Sequence, residues 1–365
     1  MAFRSLQRMY LPDKRIFVFR LRKEKERIIP EGISPRYTAI ALIGLAGEAS
    51  RSVSTVLHGH GPEDVCCRLV EDIPASKNLG DTALSLWALN SFGHEGRQII
   101  YSRLAELSPD EAGYPVVELS WALTALCLDR EESVVPLRDR IAGRLMGSFG
   151  KKSGIFPHLL GGKSGGARSH VSCFADMVYP IQALSHYHRV AGSNEALDIA
   201  ARCAERICRL QGDAGQWWWH YDYRTGEVIE RYPVYAIHQD AMGPMALFAL
   251  KDAKGPFFEK ELRLGMEWLE RSPELKGKSL VDPEADIVWR KVARREPGKT
   301  SRYLQAAASL LHPALRIPGL DELFPPLSVD YEDRPYHLGW LLHAWPASRV
   351  LSINSVEADQ CPVLQ

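Results

Sequence analysis

The sequence lacks both an excess of one charge and a long apolar run. Its 365 residues carry 45 Lys and Arg against 45 Asp and Glu, so no net positive field would gather the phosphates of nucleic acid or an anionic membrane. The basic N-terminus is followed by only a short apolar stretch at 16–19. No segment approaches the roughly 20 apolar residues of a membrane helix. We therefore expect a cytoplasmic protein with no membrane span and no nucleic-acid partner.

Local motifs for metals, cofactors and common nucleophiles are also missing. The seven cysteines include no C-x-x-C pair, which leaves neither a zinc signature nor a disulfide framework. No H-E-x-x-H, G-x-S-x-G or G-x-G-x-x-G occurs in a fitting context, so metalloprotease, serine hydrolase and dinucleotide-binding functions lack support. Several histidines stand apart without the spacing of a local metal site. We expect neither a metal nor a cofactor.

What the sequence does contain is a repeated unit. Six alanine-rich segments hold Ala, Leu and Trp around most of a helical circumference, as expected for helices surrounded by protein: 37–45, 81–89, 118–126, 174–187, 238–250 and 336–345. The segments 195–210 and 257–269 between them have one charged and one apolar face, typical of outer helices. This alternation predicts an all-α protein, an α/α toroid of about six hairpins with an (α/α)6 barrel-like ring, over residues 35–350.

The other segments complete the predicted organisation. Residues 1–34 form an N-terminal arm in which 15–22 is a strand or extended, and residues 351–365 form a C-terminal tail. An aromatic loop at 216–223 is expected to be hairpin-like. The long, Pro-rich connection 272–329 has a helical insert near 301–311 and is placed to cover one mouth of the ring. Asp176 to Pro180 and Asp240 to Pro244 repeat one pattern, and each proline should kink a helix and shape a cavity.

The inner-helix N-termini should form one rim of the ring. Free backbone N–H groups and helix dipoles favour anions there, so we place the candidate site on this rim. Ionisable or hydroxyl-bearing residues begin nearly every unit, and we expect substrate contacts from Asp81, Glu118, Arg334, Tyr336 and His337. Helix capping is the alternative role of the acids, above all of Asp81.

Two loops before the fourth and fifth units add further candidates. The first carries His158, Arg168 and His170, and the second carries three tryptophans followed by a histidine, namely Trp217, Trp218, Trp219 and His220. Three consecutive tryptophans cannot all face one core, and exposed aromatic faces bind sugar rings. The alternative is a hairpin plug in which these rings only pack.

Two catalytic arrangements are compatible with the inner positions. Asp176 and Asp240 can act as acid and base if their environments separate their pKa values. Alternatively, His238 acts as base, Tyr235 or Tyr232 acts as acid, and an arginine neutralises a substrate carboxylate. The candidate arginines are Arg168, Arg231 and Arg334. The second arrangement suits a lyase or an epimerase, and the sequence does not choose between the two.

The hairpin ring resembles the α/α toroids of six-hairpin glycosidases, of related polysaccharide lyases and sugar epimerases, and of terpenoid cyclases with protein prenyltransferases. In addition, Gln211-x-x-x-Gly215-x-Trp217 is similar to the QW motif of squalene-type cyclases, although it occurs once here. The D-x-D-D and D-D-x-x-D motifs of terpenoid enzymes are absent. No single family is identified from these features.

The resemblance to sugar-processing toroids implies a carbohydrate-active hydrolase, lyase or epimerase that takes an oligosaccharide or sugar acid. The first alternative is a terpenoid-cyclase or prenyltransferase-like enzyme, whose aromatic cavity would stabilise cations. The second is a non-catalytic scaffold or binding module in which the rim acids only cap helices.

Overall fold

The computed structural model describes residues 1–160 and 168–351, so the predicted tail 351–365 lies outside the described residues except for its first residue. Within these ranges the chain is mainly helical. The α-helices are α1 (Ala2–Met9), α2 (Pro35–Leu45), α3 (Ser50–Val56), α4 (Pro62–Asp72), α5 (Leu79–Phe92), α6 (Arg97–Glu106), α7 (Val116–Leu128), α8 (Val135–Ser148), α9 (Ala175–Ala191), α10 (Asn194–Arg209), α11 (Gly243–Asp252), α12 (Glu259–Glu270), α13 (Thr300–Leu311), α14 (Leu320–Leu323) and α15 (Pro335–Ala344). Short 3-10 helices span Pro12–Lys14, Ile73–Ala75, Glu132–Val134 and Pro273–Leu275, and a π-helical turn spans His238–Met242.

The strands are short and form small antiparallel sheets at the ends of the helices. They are β1 (Tyr10–Leu11), β2 (Ile16–Phe17), β3 (Arg20–Glu24), β4 (Arg27–Glu31), β5 (Tyr114–Pro115), β6 (Leu159–Leu160), β7 (Val171–Cys173), β8 (His220–Asp222), β9 (Val228–Glu230), β10 (Val234–Tyr235), β11 (Val281–Asp282), β12 (Ile287–Val288), β13 (Lys291–Ala293), β14 (Ser328–Asp330) and β15 (Glu332–Asp333). The sheets pair β1-β2, β10-β13-β14, β11-β12, β15-β3-β4, β5-β6 and β7-β8-β9. The predicted aromatic hairpin is therefore confirmed as β8-β9.

The six predicted inner segments are all helical and form a closed ring. Helices α2, α5, α7, α9, α11 and α15 each contact the next, and α15 contacts α2 again. Their burial explains their composition, because every residue of α7 from Leu119 to Cys127 is buried, as expected for a helix surrounded by protein. The α/α-toroid prediction is confirmed.

The outer helices differ in the way the sequence predicted. In α10 the buried residues follow the helical repeat, as Ala196, Ile199, Ala200, Cys203 and Ala204 show, while charged residues fill the other face. Helix α12 shows the same division. These one-sided helices cover the inner ring and leave their polar faces in solvent. Among the described helices, none combines the length and apolarity needed to cross a membrane.

Ring closure depends on two glycines at the junction of the first and last inner helices. A Cβ at Gly44 would lie 2.2 Å from the carbonyl oxygen of Gly339, and a Cβ at Gly339 would lie 2.4 Å from the carbonyl oxygen of Ile40. Both obstacles are backbone atoms, which cannot move aside by changing rotamer. The two helices therefore approach more closely here than side chains at these positions would permit.

The N-terminal segment 1–34 is only partly extended. Strand β3 pairs with β15, which places Leu21 opposite Asp333 just before α15 begins. Helix α1, which the sequence analysis did not predict, contacts α15 and α3 and buries Leu6 and Met9 completely. The N-terminal helix therefore occupies an outer position beside the last inner helix.

The two Asp-x-x-x-Pro repeats both lie in inner helices. Pro180 is inside α9, and Pro244 follows a π-helical turn at the start of α11. A π turn widens the helix and is frequent at functional sites. Here it carries His238 and Asp240 and leads directly into the fifth inner helix.

Candidate functional site

A cavity of about 290 Å³ opens at the N-terminal rim of the inner helices. Its lining comes from α2, α7, α9, α15, the π turn and the loops between them. The lining includes three arginines, four tyrosines, two tryptophans and one histidine: Arg36, Arg290, Arg334, Tyr37, Tyr179, Tyr235, Tyr336, Trp121, Trp219 and His238. No carboxylate is among the described residues that line it. The cavity is therefore cationic and aromatic.

Carboxylates behind the wall hold two of these arginines in place. The Glu332 side chain is 3% exposed and accepts hydrogen bonds from Arg290, Arg334 and Arg20. Burial opposes its ionisation, but these guanidinium groups outweigh that effect and lower the pKa of Glu332. Arg334 also donates to the hydroxyl of Tyr37 at 3.0 Å. The guanidinium groups of Arg290 and Arg334 are therefore held in place by the protein itself.

The third arginine, Arg36, explains the two rim acids at α5 and α7. Its Nε donates to Asp81 at 2.6 Å, and a second guanidinium nitrogen lies 3.9 Å from Glu118. The cap of α5 is Asn78, whose side chain accepts from the backbone N–H of Asp81. Asp81 is therefore not the N-cap residue itself, but it is the acid in the first turn of α5, which is the other half of the capping interpretation. Neither acid lines the cavity, so a direct substrate contact from either is not favoured.

His238 and Tyr235 lie together on the cavity wall, with ring centroids 5.1 Å apart. Burial is the main cause that lowers the pKa of His238 to about 3, and the positive charges of His337 and Arg290 act in the same direction. A hydrogen bond to the backbone carbonyl of Trp217 has the opposite effect, which is smaller than that of burial. Its Nδ1 is buried without a hydrogen-bond partner among the described residues. Burial also raises the pKa of Tyr235 to about 12. The pair thus offers a neutral imidazole beside a protonated phenol.

A second pocket of about 320 Å³ continues from the first, sharing Trp219, Tyr235 and Arg290 with it. It is formed by the residues after β13 and the start of α13, within the connection predicted to cover a mouth of the ring. Arg302 stacks on Trp219 with its guanidinium carbon 4.5 Å from the ring centroid, and Lys299 lies beside it in the lining. The positively charged surface therefore extends from the rim cavity into this second pocket.

The two repeated aspartates each bind a histidine, and neither lines the cavity. Asp240 is 3% exposed and lies 2.8 and 2.9 Å from Nε2 of His337. Asp176 is fully buried and lies 3.0 Å from Nδ1 of His158, while it accepts the backbone N–H of Cys173 at 2.7 Å. The prediction that both carboxylates work directly on a substrate is not supported by their positions.

The histidine partner of Asp240 is itself buried. Although desolvation opposes its charge, Asp240 and the nearby Asp333 raise the pKa of His337. Burial raises the pKa of Asp333 to about 6, and its carboxylate also accepts from Ser5 Oγ at 3.1 Å. This cluster joins the π turn, α15 and α1 below the cavity. The expected substrate contact of His337 is therefore replaced by a contact between helices.

The three tryptophans have different environments. Trp217 is fully buried against Phe174, so the prediction that it binds a substrate was wrong. Trp218 is 8% exposed, and Arg231 stacks on its ring. It borders a surface groove of about 870 Å³ beside the end of α10 and does not line the cavity. Of the three, only Trp219 lines the cavity.

The remaining loop candidates do not line the cavity. His170 is buried and lies 2.8 Å from the hydroxyl of Ser309. His220 is buried and stacks on Trp219, and its Nε2 accepts from Arg168 at 3.2 Å. These residues support the aromatic wall from behind, so a direct role in substrate binding is not favoured for them.

Sequence reasoning missed several residues of the site. Arg290 lies in the long connection, where no repeat pattern marked it, and it reaches the rim because β13 pairs with β10 beside Tyr235. Trp121 and Tyr179 lie inside inner helices, each about one turn from the helix start. The sequence signal available for them was their position on a helix that begins at the rim.

The structure also brings together three residues that sequence spacing did not connect. One potential ligand atom from each of His158, Cys173 and Asp176 lies within 4.8 Å of the other two. The expectation of no metal rested on local spacing alone, and these residues come from two separate segments. This His-Cys-Asp cluster stands beside the cavity at the starts of α7 and α9.

Comparisons with solved structures identify relatives of the fold. Cellobiose 2-epimerase from Bacillus thermoamylovorans B4167 superposes with a TM-score of 0.60 at 10% identity, covering 95% of this chain and 98% of that chain. A sugar epimerase from a ruminal bacterium gives 0.61 at 10% identity, covering 95% and 96%. The chain shares their fold. At this identity the likeness establishes the α/α-toroid fold alone. The sequence matches no protein-family model and no curated protein.

Proposed function

We propose that this protein is a carbohydrate-active enzyme that binds an acidic sugar and removes a proton from a carbon next to its carboxylate. The observation that carries the proposal is the cavity lining, in which three arginines surround a neutral histidine and no described carboxylate takes part. Guanidinium groups bind carboxylates through bidentate hydrogen bonds, and arginines that are already held in place lose little conformational entropy on binding. The solved structures with this fold include two sugar epimerases, which supports a sugar as the substrate, whereas the acidic group is inferred from the arginines alone.

The size and surface of the cavity fit a sugar. Its 290 Å³ and the adjoining 320 Å³ each lie near the lower end of the roughly 300–1,000 Å³ of small-molecule sites. Together they suit a ligand of two sugar rings. Trp121 and Trp219 offer flat apolar faces for the rings, and the tyrosine hydroxyls offer partners for hydroxyl groups.

The chemistry follows from the neighbours of His238. Its neutral imidazole accepts the proton from the carbon next to the substrate carboxylate, and Arg290 and Arg334 stabilise the charge that develops on the carboxylate oxygens. Burial and the charge of Arg290 lower the pKa of His238, and a substrate carboxylate bound beside Arg290 would offset that charge and raise the basicity of the imidazole. Tyr235 keeps its proton and is placed to donate it.

Two outcomes share this first step. If Tyr235 protonates the same carbon from the opposite face, the product is an epimer of unchanged composition. If the C–O bond on the adjacent carbon breaks and Tyr235 protonates the departing oxygen, the product is an unsaturated sugar and a free hydroxyl. Hydrolysis by two opposed carboxylates is disfavoured, because Asp176 and Asp240 both point to histidines.

Ligand-induced thermal stabilisation tests the proposed substrate class. We expect uronic-acid disaccharides to raise the melting temperature, because ligands that bind only the folded state stabilise it, and their neutral counterparts to raise it less. The panel also includes isoprenoid diphosphates, since the aromatic lining keeps a cyclase-like function as the second candidate. Stabilisation by diphosphates alone would favour that candidate, and no stabilisation by any ligand would favour a scaffold.

A pair of arginine variants sharpens this test. Arg290→Gln removes a guanidinium that lines the cavity, whereas Arg20→Gln removes one that shares the same Glu332 but does not line it. A charged hydrogen bond contributes about 1.5–3 kcal/mol, so Arg290→Gln should weaken uronate binding about tenfold or more. Arg20→Gln should leave it nearly unchanged. Equal losses in both variants would contradict the proposed carboxylate site.

A further inference from the structure

We propose that His158, Cys173 and Asp176 form a zinc-binding site at the rim of the ring. The three side chains offer an imidazole nitrogen, a sulfur and a carboxylate oxygen, all within 4.8 Å of one another. Zinc takes this mixture of ligands in proteins, with three protein ligands where a fourth position stays open. The sulfur disfavours magnesium and calcium, which prefer oxygen ligands, and the set is too poor in sulfur for an iron–sulfur cluster.

Local structure fixes the positions of all three side chains. Cys173 ends β7 and Asp176 lies in the first turn of α9, so the strand-to-helix junction places both at one point. Asp176 accepts the backbone N–H of Cys173 at 2.7 Å, which orients its carboxylate. The carbonyl of His158 accepts the backbone N–H of Val116 at 2.9 Å and ties its segment to the start of α7. Ligands oriented by outer hydrogen bonds are typical of metal sites.

The surroundings also favour a cation. The carboxylate of Asp176 lies 3.0 and 3.1 Å from Nδ1 of His158. Glu118 on α7 adds a second negative charge near this histidine, and Arg168 is the opposing positive charge. The His158 side chain is 54% exposed, so an ion has an entry path from solvent. On binding, zinc would replace the thiol proton of Cys173 and the proton between His158 and Asp176, and both protons pass to solvent.

The site is independent of the proposed sugar chemistry, so its test uses metal binding alone. The chelator-stripped protein is titrated with zinc in competition with a chromophoric chelator, and cobalt is then substituted for zinc. We expect one equivalent of zinc, and a near-ultraviolet sulfur-to-cobalt charge-transfer band that only a thiolate ligand gives. Metal content by mass spectrometry gives the stoichiometry.

Three variants decide whether the named residues hold the ion. Cys173→Ser should abolish the charge-transfer band. His158→Gln changes an exposed side chain, so it should not disturb folding. It should weaken zinc binding by more than about 100-fold, because even residues that only hydrogen-bond to a metal ligand contribute about 10- to 100-fold. Cys67→Ser is the matched control, because Cys67 lies 3.6 Å from His94 without a third ligand among the described residues. Less than one equivalent of bound zinc, or a band lost in Cys67→Ser and kept in Cys173→Ser, would overturn the proposal.

Discussion

Closure of the ring by two glycines leads to a quantitative prediction for Gly339→Ala. The new Cβ would lie 2.4 Å from the Ile40 carbonyl oxygen, whereas ordinary contacts begin at 3.4 Å. Helices α2 and α15 must therefore separate by about 1 Å, the difference between these two distances. Extra volume in a packed contact costs about 1–3 kcal/mol, and we expect the upper end because the obstacle is backbone.

Gly143→Ala provides the matched control for this substitution. Gly143 also lies within a helix, but a Cβ there meets nothing within 4 Å. Alanine in place of an interior helical glycine stabilises by about 0.5–1 kcal/mol, and this gain applies to both variants. The difference between the two free energies of unfolding therefore isolates the packing cost of about 1–3 kcal/mol.

Urea unfolding, followed by circular dichroism, measures both variants. We expect Gly143→Ala to raise the free energy of unfolding and Gly339→Ala to lower it. Because α15 begins with Arg334 and Tyr336 at the cavity, Gly339→Ala should also weaken ligand binding. Equal stabilities of the two variants would refute the account of ring closure.

Four further substitutions test the environments of the site. Trp217→Ala should cost about 3–5 kcal/mol of stability by opening a cavity, whereas Trp219→Ala should cost far less and instead weaken sugar binding, as calorimetry of both variants would show. Asp240→Asn removes the carboxylate charge that lies 2.8 Å from the buried His337 and should cost about 3–5 kcal/mol in urea unfolding; an unchanged stability would contradict the structural role. His238→Gln should flatten the pH dependence of stability. The folded-state pKa of about 3 lies below the unfolded value of about 6.5, so the unfolded chain binds one more proton between them, and stability falls by up to about 1.4 kcal/mol per unit as pH decreases. An identical slope in this variant, measured by urea unfolding between those pH values, would refute the low pKa.

The fold was more predictable than the site, for a physical reason. Helices buried on all sides and helices buried on one side have different compositions, so α7 and α10 could be separated from their residues alone. The repeat then required the six inner helices to form a ring. Helix α1 was missed, because its eight residues form a short helix whose stability comes from packing on α15 and α3.

The site depended on directions that the sequence does not encode locally. His238, Tyr235, Trp219, Arg334 and Tyr336 were predicted because they begin inner helices or precede them, and the structure places them around one cavity. Asp176 and Asp240 lie in the first turns of α9 and of the π turn, but each is paired with a histidine from another segment. For Asp240 that partner is 97 residues away. Such pairings follow from the closed ring and could not be read from spacing.

The same reasoning applies to the residues that were missed. Arg290 reaches the cavity through strand pairing across the connection 272–329, which contains no repeat. His158 and Cys173 meet because β6 and β7 lie at the starts of neighbouring inner helices. Long-range pairing of short strands therefore supplied the part of the site that helical periodicity could not predict.

Solvent hydrogen exchange tests the central claim most directly. The protein is incubated in D₂O with a panel of uronic-acid disaccharides, and deuterium at the carbon next to the carboxylate is followed by NMR. If His238 removes that proton, we expect deuterium in recovered or epimerised sugar, or an unsaturated product, and neither in His238→Gln. Hydrolysis of the disaccharide without deuterium at that carbon, or exchange that persists in His238→Gln, would contradict the account.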